Sequence, residues 1–136
     1  MNRALELHDS RLVDVRRAGP DVILDLDGYV HESEGEPGVD DGAGYSQRVN
    51  VRVTNASFEG DASSWTILDG RIEIGAEVVD NLVVLPSRAS SARRFARVGA
   101  TSVLLEGAGT AVLVQGDGID VRAEGPAKLV ERYSRE

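Results

Sequence analysis

Apolar and polar residues alternate along most of the chain with the period of two that marks a half-buried strand. Val49, Val51 and Val53 are interleaved with Arg48, Asn50, Arg52 and Thr54. Ile72 and Ile74 flank Glu73, and Ile119 and Val121 flank Asp120. Val22, Leu24 and Leu26 lie on one side of a segment whose other side carries Asp25 and Asp27, with Ile23 breaking the polar face. Leu12-Val13-Val15, Leu82–Leu85, Val103–Leu105 and Val112–Val114 are short β-branched or leucine runs bounded by turn residues. The breakers between them are Gly19-Pro20, Asp27-Gly28, Asp69-Gly70, Gly107-Ala108-Gly109, Asp117-Gly118 and Gly125-Pro126. Asp69-Gly70 and Asp117-Gly118 have the composition that supplies the positive φ of a tight hairpin. The pattern predicts an all-β protein: an antiparallel β-sandwich or flattened barrel of eight to ten short strands.

At most one or two short helices are compatible with this reading. Ser87–Val98 places Ala89, Ala92, Phe95 and Ala96 at helical spacing behind a serine cap. Pro126–Arg135 offers proline at a first helical turn, yet reads better as a closing strand with Leu129, Val130 and Tyr133 docked on the body. Two long loops are expected. One runs from His31 to Gln47 and holds Glu32, Glu34, Glu36, Asp40 and Asp41 among four glycines and a proline. The other is Asn55–Trp65, with the only tryptophan.

Composition then narrows the picture. A chain of 136 residues, 41% apolar and 28% charged, reads as one soluble domain spanning 1–136. Cysteine is absent, which removes disulfides, thiolate ligands and thiol nucleophiles. A formal charge of −8 argues against nucleic acid as a partner. No apolar run approaches the roughly 18 residues of a membrane span. Met1–Ser10 lacks the apolar core of a signal peptide, so a cytoplasmic location is expected. Lysine occurs once, at Lys128, a skew toward arginine that fits a G+C-rich bacterial genome.

Chemistry-bearing residues are few. His8-Asp9-Ser10 has the composition of a catalytic triad but not its geometry, because on an extended chain His8 and Ser10 share a face with Asp9 opposite. The simpler expectation is that Asp9 or Ser10 makes local side-chain-to-backbone bonds near the start of the first strand. His8 and His31 are the only histidines. If the first two strands pair, they meet at one end of the sheet, and with Asp9, Glu32 or Glu131 they offer a nitrogen–oxygen set suited to zinc or iron. Two partly exposed histidines making ordinary hydrogen bonds are the simpler account, so no metal, cofactor or catalytic residue is assigned. The acidic loop does not follow the ligand order of an EF-hand. Arg88, Arg93, Arg94 and Arg97 form the one basic cluster, suited to a carboxylate or phosphate partner or to neutralising the acidic loop.

His8-Asp9-Ser10-Arg11, the run Tyr29-Val30-His31-Glu32-Ser33-Glu34-Gly35, and the later Gly116–Val121, Glu124–Ala127 and Val130-Glu131 together resemble a group of small bacterial β-proteins. The resemblance covers most of the chain. It implies a standalone cytoplasmic β-domain and carries no activity, cofactor or catalytic residue. The functional expectation is a non-enzymatic binding module that self-associates as a homodimer or other homo-oligomer. Two alternatives stand beside it. One is an immunity-type protein whose acidic surface neutralises a bacterial toxin, and the other is a metal-dependent enzyme using His8 and His31.

Overall fold

The computed structural model describes residues 1–87 and 94–134. Ten strands follow one another: β1 (Asn2–Ala18), β2 (Asp21–Ser33), β3 (Gly42–Thr54), β4 (Ser57–Gly60), β5 (Trp65–Thr66), β6 (Asp69–Ile74), β7 (Glu77–Asp80), β8 (Leu82–Leu85), β9 (Phe95–Gly107) and β10 (Thr110–Tyr133). All pair antiparallel in one curled sheet, a half-barrel ordered β5-β1-β2-β3-β10-β9-β6-β7. No helix among the described residues is long and apolar enough to cross a membrane.

Alternation becomes burial as expected. Val49, Val51 and Val53 are buried while Arg48, Arg52 and Thr54 are exposed, and Ile72 and Ile74 are buried on either side of exposed Glu73. With Leu5, Leu24, Leu105, Val112 and Val121 they belong to one continuous apolar cluster. Each such side chain contributes about 1.5–3 kcal/mol by leaving water. β2 is buried without a break from Val22 to Leu26, and Asp25 there pairs with Arg16 at 2.9 Å.

Curvature comes from strands that change partners. β1 holds β2 along one edge, while its other edge takes β8 opposite Arg3–Glu6 and β5 opposite Arg11-Leu12. After β5, Ile67 exchanges backbone bonds with Asp9 and Ser10, Leu68 bonds Glu106, and β6 continues along β9. Segment 65–74 thus ties the first strand to the far side of the sheet. β10 lies beside β4 at Val112–Gln115 and beside β3 from Gly118 to Tyr133.

Several turns fall elsewhere than composition suggests. Positive φ occurs at Gly19, Gly75 and Gly109, at the β1–β2, β6–β7 and β9–β10 corners. Asp69-Gly70 and Asp117-Gly118 instead lie inside β6 and β10. Gly70 is needed because Leu7 packs onto its α-carbon. Gly118 sits beside the register shift at which β10 leaves β4 for β3.

The expected loop 31–47 is mostly sheet. His31–Ser33 and Gly42–Gln47 pair in the β2–β3 hairpin, so the connection is only 34–41. Its glycines mark close packing as well as a turn: a side chain on Gly42 would meet the Glu32 carbonyl, and one on Gly44 the Tyr29 phenol. The loop expected over 55–65 likewise contains β4 and the start of β5. The proposed helix over Ser87–Val98 is overturned at its described end, where Phe95–Val98 belong to β9 and Phe95 enters the core; residues 88–93 lie outside the described residues. Pro126–Tyr133 is the closing strand, paired with β3, although Leu129 and Val130 remain half-exposed.

Gly116 gives a direct test of this architecture. A β-carbon there would run into the Thr54 carbonyl oxygen and crowd Val53 and Ala56, where β10 exchanges β4 for β3. Gly116→Ala is expected to lower stability by about 1–3 kcal/mol, the usual range for overpacking. Urea unfolding reads this directly, and an unchanged midpoint would contradict the tight crossing.

Candidate functional site

One end of the sheet gathers the polar residues. Tyr29 and His31 stand two apart on β2, and Glu131 and Tyr133 two apart on β10, so each pair shares a face. β3 runs between them, with Gly44 opposite both His31 and Glu131 and Gly42 opposite Ser33 and Tyr133. Because β3 presents no side chains there, groups from β2 and β10 close over it.

His31 is 5% exposed. Its Nδ1 lies 2.6 Å from the Tyr133 hydroxyl and its Nε2 lies 2.9 Å from Glu6 Oε2. Neutral imidazole satisfies both contacts in one tautomer: Tyr133 donates to Nδ1, and Nε2–H donates to the Glu6 carboxylate. Tyr29 meets the His31 ring edge-on at 4.9 Å and donates its hydroxyl to Glu131. Burial, then the bond to Glu131, pushes the Tyr29 phenol well above its ordinary range. The result is two parallel lines, Tyr133–His31–Glu6 and Tyr29–Glu131.

Glu6 begins a bulge in β1. The β1–β2 register shifts between Glu6 and Arg11, and Asp9 adopts φ 74°. Ser10, fully buried, repairs the ladder. Its hydroxyl donates to the Glu6 carbonyl at 2.6 Å and accepts from the Tyr29 N–H at 2.9 Å. Leu7 N–H bonds the Asn81 carbonyl and His8 N–H bonds Asn81 Oδ1. The local side-chain-to-backbone bonds expected of Ser10 are present, but inside β1 rather than at its start. His8 and Ser10 do not share a face, because His8 is exposed and Ser10 is buried.

The structure separates the residues singled out from the sequence. β1 and β2 pair, and Glu6 is the group that reaches toward both histidines. It bonds His31, and its carboxylate lies within 4.8 Å of donor atoms on His8 and Asp9. Glu131 is taken by Tyr29. Glu32, 6% exposed, faces Arg3 at 3.4 Å. Arg94 pairs with Asp120 at 3.2 Å, while Arg97 pairs with Glu77 at 3.0 Å and lies over the Phe95 ring. Arg88 and Arg93 lie outside the described residues. Sequence reasoning missed Glu6, Tyr29 and Tyr133, for which the available signal was the Tyr-x-His and Glu-x-Tyr spacing.

Beside this network opens a cleft of about 620 Å³, lined among others by Glu32, Glu34, Asp40, Asp41, Arg132 and Tyr133. Its 34–41 wall is folded rather than loose. Ser33 Oγ donates to the Asp41 carbonyl, Glu36 N–H donates to Asp40 Oδ2, and Asp40 N–H returns to the Glu36 carbonyl. Tyr133 belongs to both the cleft and the histidine network.

The Tyr29 contact makes a pH prediction. Its raised folded pKa means that the fold favours the protonated phenol, so that contribution is complete below the ordinary tyrosine value of about 10 and lost as pH rises beyond it. Phenolate absorbance should show a tyrosine ionising late, and Tyr29→Phe should remove that late step. Loss of a phenol that ionises in the ordinary range would contradict the assignment.

Comparison with protein-family models, curated proteins and solved structures finds no match for this chain.

Proposed function

We propose that the protein is a non-enzymatic binding module that receives a cationic partner, an arginine- or lysine-rich protein segment, in the acidic cleft. The observation that carries this reading is the concentration of Glu34, Asp40 and Asp41 around one opening of about 620 Å³. Glu32 there already faces Arg3, and among the described residues Arg132 is the one basic side chain on the lining. Like charges held together repel one another, and a folded wall that keeps them together favours a positive occupant. Glu34 is exposed, whereas Asp40 also holds the wall, so the two carboxylates contribute differently to binding and to folding. A formal charge of −8 adds long-range steering of a basic partner. An immunity-type protein that blocks a basic bacterial toxin is one biological form of this module.

An arginine-rich peptide and a glutamate-rich control provide the test. The basic peptide should bind, and its affinity should fall several-fold as salt rises from about 50 to about 300 mM, where screening shortens to a few ångströms. Glu34→Lys should weaken it further without unfolding the protein. Equal binding of both peptides, or affinity indifferent to salt and to Glu34→Lys, would overturn the reading.

Self-association is favoured by a separate observation. β7 ends the strand order, and Val78 on it is 50% exposed. The open backbone groups of an edge strand can take a strand from a second copy, with Val78 as the apolar contact between the acidic ends of β7. Sedimentation should return a dimer that Val78→Lys converts to monomer; a wild-type monomer at every concentration sinks this second reading.

A further inference from the structure

The β1 bulge carries a constellation separate from the acidic cleft. Glu6, His8 and Asp9 each bring one donor atom within 4.8 Å of the others. In an unbroken strand His8 and Asp9 would project to opposite faces. The left-handed φ of 74° at Asp9 turns its carboxylate back toward the imidazole, leaving His8 Nε2 and Asp9 Oδ1 3.7 Å apart. Two ligands of a tetrahedral zinc ion, each about 2.0–2.1 Å from the metal, stand roughly 3.3–3.4 Å from one another. A small side-chain rotation closes the difference. Both side chains are about half-exposed, so an ion has open access and space for water ligands.

A second observation comes from a different strand. His31, buried on β2, lies with Nε2 2.9 Å from Glu6 Oε2 and Nδ1 2.6 Å from the Tyr133 hydroxyl. The His31 bond orients the Glu6 carboxylate, whose two oxygens allow it to hold the histidine and a ligand together. A liganding carboxylate held by an outer hydrogen-bond donor is how metal sites orient their ligands. The backbone beneath is equally fixed. Asn81 binds the amides of Leu7 and His8, Ile67 binds Asp9 and Ser10, and Ser10 spans the gap to Tyr29.

We propose that Glu6, His8 and Asp9 form a binding site for a divalent transition ion of the zinc class, with His31 as the positioning residue that aims Glu6. One imidazole and two carboxylates suit zinc, cobalt or nickel. Calcium and magnesium select all-oxygen sets instead. The site shares no ligand with the acidic cleft and does not depend on a cationic partner binding there.

The experiment titrates tag-free, full-length protein with zinc by calorimetry and with cobalt by visible absorption. One ion per chain is expected, with a cobalt spectrum of a nitrogen–oxygen site. His31→Gln should weaken binding by about tenfold, the lower end of what outer partners are worth. His8→Ala and Asp9→Asn should weaken it more. His8 is exposed and asparagine tolerates positive φ, so both variants keep the fold, which circular dichroism verifies. Three outcomes overturn the proposal: no saturable uptake at millimolar zinc, uptake unchanged by His8→Ala, or uptake abolished by Glu34→Gln in the cleft.

Discussion

Continuity of hydrogen bonding through β1 is the constraint on which the remaining structure depends. This strand is paired along both edges, to β2 on one side and to β8 and β5 on the other. Its register breaks between Glu6 and Arg11, in the middle of its length. A buried amide left without a partner costs about 1–3 kcal/mol, against a total stability of about 5–15 kcal/mol for a typical domain. Several open groups at one bulge would therefore consume much of the margin. Ser10, Asn81 and Ile67 supply the missing partners. The same repair sets the positions of Glu6, His8 and Asp9, so the irregular segment is rigid where its side chains are polar.

Glycine explains both what the sequence revealed and what it concealed. The regular strands were legible because burial there is one-sided: Val49, Val51 and Val53 face the core while Arg48 and Arg52 face water. Glycine has no such pattern to read. A glycine at a corner and a glycine under a packed aromatic ring leave the same trace in a sequence. Gly75 and Gly109 turn the chain, whereas Gly44 yields space to Tyr29 and Gly70 to Leu7. Telling them apart requires the residue on the neighbouring strand. For that reason 42–47 read as loop, and Asp69-Gly70 read as a turn.

The candidate site was half visible for a related reason. His31 stood out as one of two histidines, and the period of two on β2 and β10 already aligned Tyr29 with His31 and Glu131 with Tyr133. Nothing local, however, joins residue 31 to residue 133. That contact needs the three-strand register in which Gly42 and Gly44 leave the middle strand bare. Strict alternation also gave the wrong faces for His8 and Ser10, since one residue at φ 74° changes the facing of its successors along the strand. Asp9 is among the residue types that accept this conformation at low cost, but its identity alone does not announce a bulge.

Charge is distributed unevenly between stabilising and poised roles. Arg16–Asp25, Arg52–Asp21 and Arg97–Glu77 pair between strands and Arg71–Glu73 pairs along β6, all within reach of water, where such pairs contribute little. The cleft gathers Glu32, Glu34, Asp40 and Asp41 with Arg132 on one lining, and Glu32 there also faces Arg3. Tyr133 stands at the boundary, one side in the cleft and its hydroxyl on His31. The lining of the cleft and the carboxylate at the bulge are thus joined by one line of contacts, Tyr133–His31–Glu6, built from β10, β2 and β1.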